Sequence, residues 1–324
     1  MTKPRLSVIL VNWNQGHFLK NSLAALAAQA DPKPNILIVD NASTDGSLEW
    51  VAQHYPTVTL LPLASNHGFA PAFNRAIAAT ASPLVLSLNP DVTPRPDFVQ
   101  ELMRVMDQDD RIGMVAPKLL RAADPRLLDS TGLFIDRRRR PYDRGQGETD
   151  QGQYDQRAEV FGACGAAALY RRAMLEDVAF EREVFDESFF AYYEDADLAW
   201  RAQARGWRGV FAPRAIATHV RGWGDTLRKS RAKLGAGPRL ALRNRYLMTI
   251  KNDTRRDFLA DLPLILAAEL PRLAYATLRA PQMWLGLLDV FRACPLAWRK
   301  RQVIRRGRVA QEAELRRWFT PPKN

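Results

Sequence analysis

Four short aliphatic runs, LSVILV (6–11), NILIVD (35–40), VTLLPL (58–63) and SPLVLSLN (82–89), alternate with alanine-rich stretches of helical character, FLKNSLAALAAQA (18–30) and FAPAFNRAIAAT (69–80). Strands that alternate with helices in this way predict βαβ units and a mostly parallel sheet covered by those helices. The fold class is therefore α/β. In open sheets of this kind ligands collect beyond the carboxyl ends of the strands. The residues that leave those ends are NWNQ, DNASTDGS and NPD, rich in amides and carboxylates.

With 324 residues, 47% of them hydrophobic and 25% charged, the chain suits one large domain or a domain with an appended module. Its two cysteines, Cys164 and Cys294, stand far apart, which suggests neither a disulfide framework nor a thiolate zinc site and fits a reducing, cytoplasmic compartment. MTKPR runs directly into LSVILVNW, too short for the apolar core of a signal peptide, so the chain reads as mature protein from its start. Between about 122 and 160 periodicity disappears in a stretch rich in Gly, Asp, Arg and Gln. It reads as a long loop inside an α/β domain of residues 1–235, with the run Arg137 to Arg140 solvated.

The net charge of +12 is unevenly placed, because residues 221–324 hold 23 Lys and Arg against 8 Asp and Glu, and the rest 24 against 27. Residues 236–324 thus form a basic region. Pro271, Pro281 and Pro295 are each suited to open a helix there. The apolar segment FLADLPLILAAELPRLAYATLRAPQMWLGLLDVF (258–291) is broken by Asp261, Glu269, Arg272, Arg279 and Asp289, whereas a membrane-crossing helix needs about 20 mostly apolar residues. The pattern predicts amphipathic helices lying in a membrane interface, with WRKRQVIRRGR (298–308) toward anionic headgroups; the alternative is a helical subdomain packed on the core.

Several strand ends carry groups able to act on a ligand. In VDNASTDGS (39–47) the carboxylate of Asp40 either opens a turn, with Ser43 or Thr44 capping the next helix, or accepts the ring N3–H of uracil or thymine. In SNHGFAPAFNRAIA (65–78) Asn66, Gly68 and Asn74 surround a helix start. They read as cap and turn, or as amides for a base, ribose or phosphate that Gly68 lets the backbone approach. In LNPDV (88–92) Pro90 stiffens a turn presenting Asn89 and Asp91. A carboxylate placed there holds Mg²⁺ or Mn²⁺ against a diphosphate, with His219 of IATHVRGWGD (216–225) the natural second ligand. In FFAYYEDADLAWRA (189–202) Glu194 and Asp195 stand where a helix begins, Asp197 and Arg201 are spaced for a salt bridge on its surface, and Gly206 suits its end. No GxGxxG fingerprint supports a dinucleotide site.

Taken in order, VNWNQ, VDNASTDGS, N-x-G-F-A-x-A-x-N, LNPDV, GACGAAALYRR (162–172), FDESFFAYYEDADLAWRA and THVRG resemble the family 2 glycosyltransferases of the GT-A fold. More narrowly, over roughly residues 5–225, they resemble the rhamnosyltransferase-like branch of that family. The resemblance implies a Rossmann-like mixed sheet flanked by helices with a nucleotide-diphospho-sugar site, extended here by a C-terminal amphipathic helical region. It implies that Asp40 binds the nucleobase, with Asn12, Asn66 and Asn74 lining the donor pocket. Asp91 matches the last aspartate of the family's DxD metal motif, while Asn89 replaces the first and leaves one negative charge fewer. His219 matches the histidine that completes the metal or diphosphate site. Glu194 and Asp195 match the acidic pair near the acceptor, where the aspartate serves as general base. The implied activity is inverting transfer of a sugar, with L-rhamnose from dTDP-rhamnose first and UDP-sugars next. The implied acceptor is a hydroxyl of a cell-envelope glycan or lipid-linked saccharide, reached on the cytoplasmic face of the inner membrane with Mg²⁺ or Mn²⁺ present.

An isoelectric point of about 10.0 also fits a nucleic-acid binder. That reading leaves the strand-end aspartates and the EDAD cluster without a role, and the aromatics do not interleave with the basic run as a base-stacking platform would. A nucleotidyltransferase would need a Gly- and Lys-rich phosphate loop near the N-terminus, which the sequence lacks.

Overall fold

A computed structural model describes residues 4–30, 33–221, 237–279, 281 and 283–320. The aliphatic runs become strands where their pattern places them. β1 (Leu6–Asn12), β2 (Asn35–Asp40), β3 (Thr59–Pro62) and β4 (Leu84–Leu88) pair in parallel in the spatial order β3-β2-β1-β4. α1 (Gly16–Ala27), α2 (Ser47–His54) and α3 (Phe69–Ala78) connect them. Successive side chains of a strand point to opposite faces. Ile9, Leu37 and Val39 accordingly join Phe73 of α3 in one core, and Val8, Leu10 and Ile38 join Leu19 and Leu23 of α1 in the other.

Further along the chain come β5 (Val92–Pro94), α4 (Phe98–Met106), β6 (Ile112–Arg121), β7 (Asp124–Ser130), β8 (Leu133–Ile135), β9 (Pro141–Asp143) and β10 (Ala158–Val160). They are followed by β11 (Ala167–Arg171), α5 (Arg172–Asp177), α6 (Glu194–Ala204) and β12 (Arg208–His219). β11 enters antiparallel between β4 and β6, and β12 lies parallel to β6, giving the order β10-β12-β6-β11-β4-β1-β2-β3. The sheet is therefore mixed. β5 pairs with the end of β12, β7 with β6, and β8 and β9 form a separate hairpin.

Residues 122–160, expected as a loop, carry β7 to β10. Three of these strands are three residues long, too brief to show alternation, and β7 begins exposed, so no period reaches the sequence. Arg139, expected in solvent, is buried beneath the C-terminal helices, with Asp253 at 2.7 Å, Asp261 at 2.8 Å and the Phe319 ring below its guanidinium. Its partners lie more than a hundred residues onward, which no local charge pattern reveals.

The C-terminal region is α7 (Gly237–Asn252), α8 (Arg255–Arg279), α9 (Met283–Gly307) and α10 (Glu312–Arg316). The expected boundary at residue 235 lies outside the described residues. α7 rests on α6 and α9, and Trp318 donates from Nε1 to Gln203 of α6 at 3.1 Å. Lys251 pairs with Asp186 and, at 2.9 Å, with Asp197; Lys300 meets Asp186 at 2.8 Å and Glu183 at 2.6 Å. These helices are thus bolted to the α/β core. Pro281 does precede a helix, but Pro271 and Pro295, with Pro263, lie inside α8 and α9. All three are exposed, so the turn each one distorts faces outward rather than into the packing. The acids of α8 also differ from expectation: Asp257, Asp261 and Glu269 are buried against the protein, while Leu259, Leu264, Leu266, Leu270, Tyr275 and Leu278 are exposed. Its amphipathicity is inverted. Among the described residues no helix is long and apolar enough to cross a membrane.

Candidate active site

Register brings the first group together. Asn12 and Asp40 end β1 and β2 opposite one another, and Asn12 Nδ2 donates to Asp40 Oδ1 at 2.7 Å, Ser43 Oγ at 3.0 Å and Ser47 Oγ at 2.9 Å. Ser43 donates its N–H to Asp40 Oδ2 at 2.8 Å and its hydroxyl to Oδ1 at 2.6 Å. Asp40 is thereby fixed by three donors. Ser43 serves Asp40 rather than capping α2, whose start is turned by Gly46 at φ +75°. Asn41 extends the corner, donating to Gly68 O at 3.1 Å and accepting from His67 N at 3.3 Å, while Asn66 Oδ1 accepts from Gly68 N at 2.9 Å.

Gly68 and Asn74 have structural partners that their sequence context does not show. A Cβ on Gly68 would lie 2.5 Å from the Phe190 carbonyl oxygen and 2.6 Å from its ring, so the close approach that glycine permits here is to Phe190. Asn74 donates to Phe185 O at 2.8 Å and Glu187 Oε1 at 3.1 Å, and accepts from Phe185 N at 2.9 Å. Both tie α3 to the segment that leads into Glu194. A helix-start glycine or asparagine looks alike in sequence whether its partner is a ligand or a remote loop.

The second group forms where β5 pairs with the end of β12. His219 Nε2 lies 3.4 Å from Asp91 Oδ2, and Nδ1 is bonded to Asp129 Oδ2 at 2.7 Å. Asp129 is fully buried and lies 3.1 Å from Arg221 Nη1, and Arg221 in turn donates to Asp143 at 2.9 Å. Burial alone would lower the His219 pKa, but the bonds to Asp129 and Asp91 outweigh it and raise it to about 9. One carboxylate and one imidazole converge here, a donor set suited to Mg²⁺ or Mn²⁺ that leaves other positions to diphosphate oxygens and water. Taking Nε2 as a ligand would displace the imidazole proton. Among the described residues no group of three or more His, Cys, Asp and Glu side chains gathers to hold a metal. Asn89 lies half-buried beside this turn, its N–H on Ala166 O at 2.8 Å and its carbonyl accepting from Val92 N at 3.1 Å.

The acidic pair opens α6. Phe190, Tyr192 and Tyr193 precede it with φ of 58°, 75° and 69°. Such conformations in bulky residues cost about 1–3 kcal/mol each and persist only where the surroundings hold them. Asp195 Oδ2 accepts from Gly165 N at 2.8 Å and Oδ1 from Ala196 N at 2.7 Å, while Glu194 Oε2 is buried without a hydrogen-bond partner among the described residues. Burial, with the neighbouring Asp195 charge added, pushes Glu194 up to about 8. Burial also raises Asp195, to about 6, against the lowering effect of its N–H partners. Both carboxyls are thus shifted upward by burial and titrate as a pair, with the N–H groups of Gly165 and Ala196 favouring the charged form of Asp195.

Asp197 departs from the expected surface bridge. It is wholly buried, with Arg201 Nε at 3.0 Å, Lys251 Nζ at 2.9 Å and Asn252 Nδ2 at 2.8 Å. A spacing of four says that two residues meet, not which side of the helix they occupy. The three groups lie along one rim: Phe69 N donates to Phe190 O at 2.6 Å, joining the Asp40 corner to the acidic pair. Gly165 and Ala166 join that pair to Asn89. Asp129 and Asn41 escape the sequence reading. Asp129 carries the signal that marked Asp40, an aspartate closing an aliphatic run before Ser and Thr, but in the segment that reads as loop.

A mixed α/β sheet of this order, with a polar rim at its strand ends, has the GT-A fold. The Staphylococcus aureus TarS 1–349 structure superposes with a TM-score of 0.57 at 16% identity, over 97% of this chain and 89% of that one. The mannosyltransferase PcManGT from Pyrobaculum calidifontis, in complex with GDP-Man and Mn²⁺, gives 0.54 at 17% identity, over 95% and 86%. At these identities the likeness establishes the fold. The family model for glycosyl transferase family 2 matches residues 7–179. An N-acetylglucosaminyl-diphospho-decaprenol L-rhamnosyltransferase of Mycobacterium tuberculosis is 30% identical over 241 residues, 66% of this chain and 75% of that protein. The chain belongs to glycosyl transferase family 2, in its rhamnosyltransferase-like branch.

Proposed function

We propose that the chain is an inverting glycosyltransferase carrying L-rhamnose from dTDP-rhamnose to a hydroxyl of a lipid-linked saccharide or growing cell-envelope glycan, at the cytoplasmic face of a membrane. The observation that carries the transfer reading is the acidic pair at the start of α6, two adjacent carboxylates whose pKa values burial raises. Asp195 is held by the N–H groups of Gly165 and Ala196, while Glu194 Oε2 has no such donor among the described residues. The name of the mycobacterial relative supports the donor sugar and a lipid-linked acceptor.

In this mechanism the acceptor hydroxyl gives its proton to Asp195 as its oxygen attacks the anomeric carbon. The bond from that carbon to the nucleoside diphosphate breaks on the opposite face, which inverts the centre. Glu194 keeps its own proton and does not compete. Asp40, fixed by Asn12 and Ser43, receives the base N3–H, with Asn66 beside it. Asp91 and His219 would hold a Mg²⁺ or Mn²⁺ ion, which when bound supplies positive charge against the departing diphosphate. Asp129 keeps the His219 ring oriented. Tyr192 and Phe190 shape the acceptor subsite. The outward faces of α8 and α9 lie in the membrane interface.

A panel of nucleotide sugars tests the donor: dTDP-rhamnose should give the fastest nucleoside diphosphate release in the presence of acceptor. Excess EDTA should stop that release, and Mn²⁺ or Mg²⁺ should restore it. Turnover with a UDP-sugar alone would replace the donor, and undiminished activity in EDTA would leave Asp91 and His219 as polar contacts only.

A further inference from the structure

Six successive backbone carbonyls precede the acidic pair, and each has a donor from outside regular secondary-structure pairing or from α6 itself. Ser188 O accepts from Arg243 Nη1 at 2.7 Å. Phe190 O accepts from Phe69 N and Tyr193 O from Asp197 N. The remaining three, Phe189 O, Ala191 O and Tyr192 O, all lie within reach of Nδ2 of one residue, Asn244, at 2.8, 2.8 and 3.0 Å, and Phe189 O also accepts from Ala191 N at 2.6 Å. Asn244 sits on α7, has no exposed surface, and has two amide hydrogens for these three oxygens. We infer that Asn244 is a positioning residue for sugar transfer, holding residues 189–193 in the one conformation that presents Glu194 and Asp195 to the acceptor. The inference rests on the reading of that pair as the acceptor-side acids.

The physical case has two parts. A segment with left-handed φ at Phe190, Tyr192 and Tyr193 lies outside regular structure, so its buried carbonyls need partners from elsewhere, and an unpartnered buried carbonyl is rare. Asn244 shares two amide hydrogens among three of them from a single rigid point, and Ala191 O and Tyr192 O rely on it most because Phe189 O also has the Ala191 N–H. Without that amide the aromatic residues are free to return to negative φ, and since Tyr193 is the residue before α6, its rotation swings the first turn of the helix. Glu194 and Asp195 occupy that turn. Asp195 would then leave the Gly165 N–H, and the geometry required for proton transfer would be lost, although Asn12, Asp40 and Ser43 keep their bonds to one another at the ends of β1 and β2.

The experiment compares wild-type protein with Asn244→Ala and Asn244→Leu, the latter filling the space without donors. Both should bind the nucleoside diphosphate with unchanged affinity by calorimetry, exchange the amides of residues 189–196 faster, and lose about 100-fold in kcat, the scale of a misplacement near 1 Å. A packing role would instead leave Asn244→Leu active. Unchanged exchange and unchanged kcat in both variants would overturn the inference. If Asn244→Ala does not accumulate folded, Asn244→Ser, which keeps one donor, takes its place under the same criteria. Asp195→Asn separates the two readings: should it retain turnover while Asn244→Ala loosens the loop, the acid assignment fails and not the clamp. Should Asp195→Asn abolish transfer while the Asn244 variants behave as wild type, the clamp fails alone.

Discussion

Glu194, Asp195 and Asp197 lie within four positions, yet each carboxylate has its own chemistry because each meets a different surrounding. Their placement at a helix start was legible in the sequence, since aromatic residues followed by a run of acids mark such a start. The division of labour was only partly so. Asp197 disappears into an ion-pair network with Arg201 and Lys251, and nothing in the EDAD string distinguishes its burial from exposure. Asn74 and Gly68 show the same limit, because their partners, Phe185 and Phe190, are more than a hundred residues away. For the acidic pair, proposed as the acceptor-side acids, the raised pKa values give a direct test. Transfer should rise with pH through about 6 as Asp195 loses its proton. Asp195→Asn should lower kcat by about 100- to 10,000-fold with donor affinity retained. Glu194→Gln should leave the limb near 6 in place, because Glu194 is still protonated there. Initial rates from pH 5 to 9 distinguish these outcomes, and a limb that disappears in Glu194→Gln would exchange the two roles.

At the scale of elements, β1 to β4 were legible because each is a buried aliphatic run bounded by polar turns. β7 to β10 were not, being too short for a period to form. The C-terminal helices were recognisable as helices, but the direction of their faces was not, since the partners of their charges lie on other elements: on the α/β core for Lys251, Lys300 and Asp261, and on other C-terminal segments for Asp257 and Glu269. Asp186 illustrates the coupling. Burial alone would raise its pKa, but Lys251 of α7 and Lys300 of α9 hold it well below the ordinary carboxylate range. A carboxylate depressed in the folded state contributes stability that is present above its unfolded value, 3.8 here, and is lost as pH falls below it. Removing Lys251 leaves Asp186 and Asp197 buried with less positive charge, so Lys251→Ala should destabilise by about 3–5 kcal/mol at pH 7. Urea denaturation measures this, and the deficit should shrink below pH 4, where the variant's Asp186, relieved of Lys251, can protonate. A variant as stable as wild type would mean that Lys300 and Arg201 suffice.

For the whole molecule, the basic excess divides between two uses. Lys251, Lys300, Arg245 and Arg316 neutralise buried acids, whereas Arg255, Arg256, Arg279, Arg292 and Arg299 are exposed around the apolar faces of α8 and α9. A helix that turns its acids toward the protein and its leucines outward is unsuited to water, since exposed apolar stripes of this length mark a surface awaiting a partner. Trp284, Leu285, Leu288 and Phe291 of α9 are exposed as well, and exposed arginines on both helices are suited to anionic headgroups, as proposed for a membrane interface. Cutting the chain after residue 250 would be a poor test, because Lys251 and Lys300 would leave with the helices and the catalytic domain would lose its support. Replacing Leu259, Leu270 and Leu278 together by Gln touches only exposed positions of α8. The triple variant should keep its thermal stability and its transfer rate to a water-soluble acceptor. Its binding to liposomes containing anionic lipid should fall roughly 100-fold or more, since each leucine contributes about 1 kcal/mol or more on insertion. Sedimentation at rising salt then separates the two contributions: the arginines make wild-type binding salt-sensitive, and the variant should lose what remains at high salt. If the variant still sediments like wild type, the stripe on α8 is not the docking face.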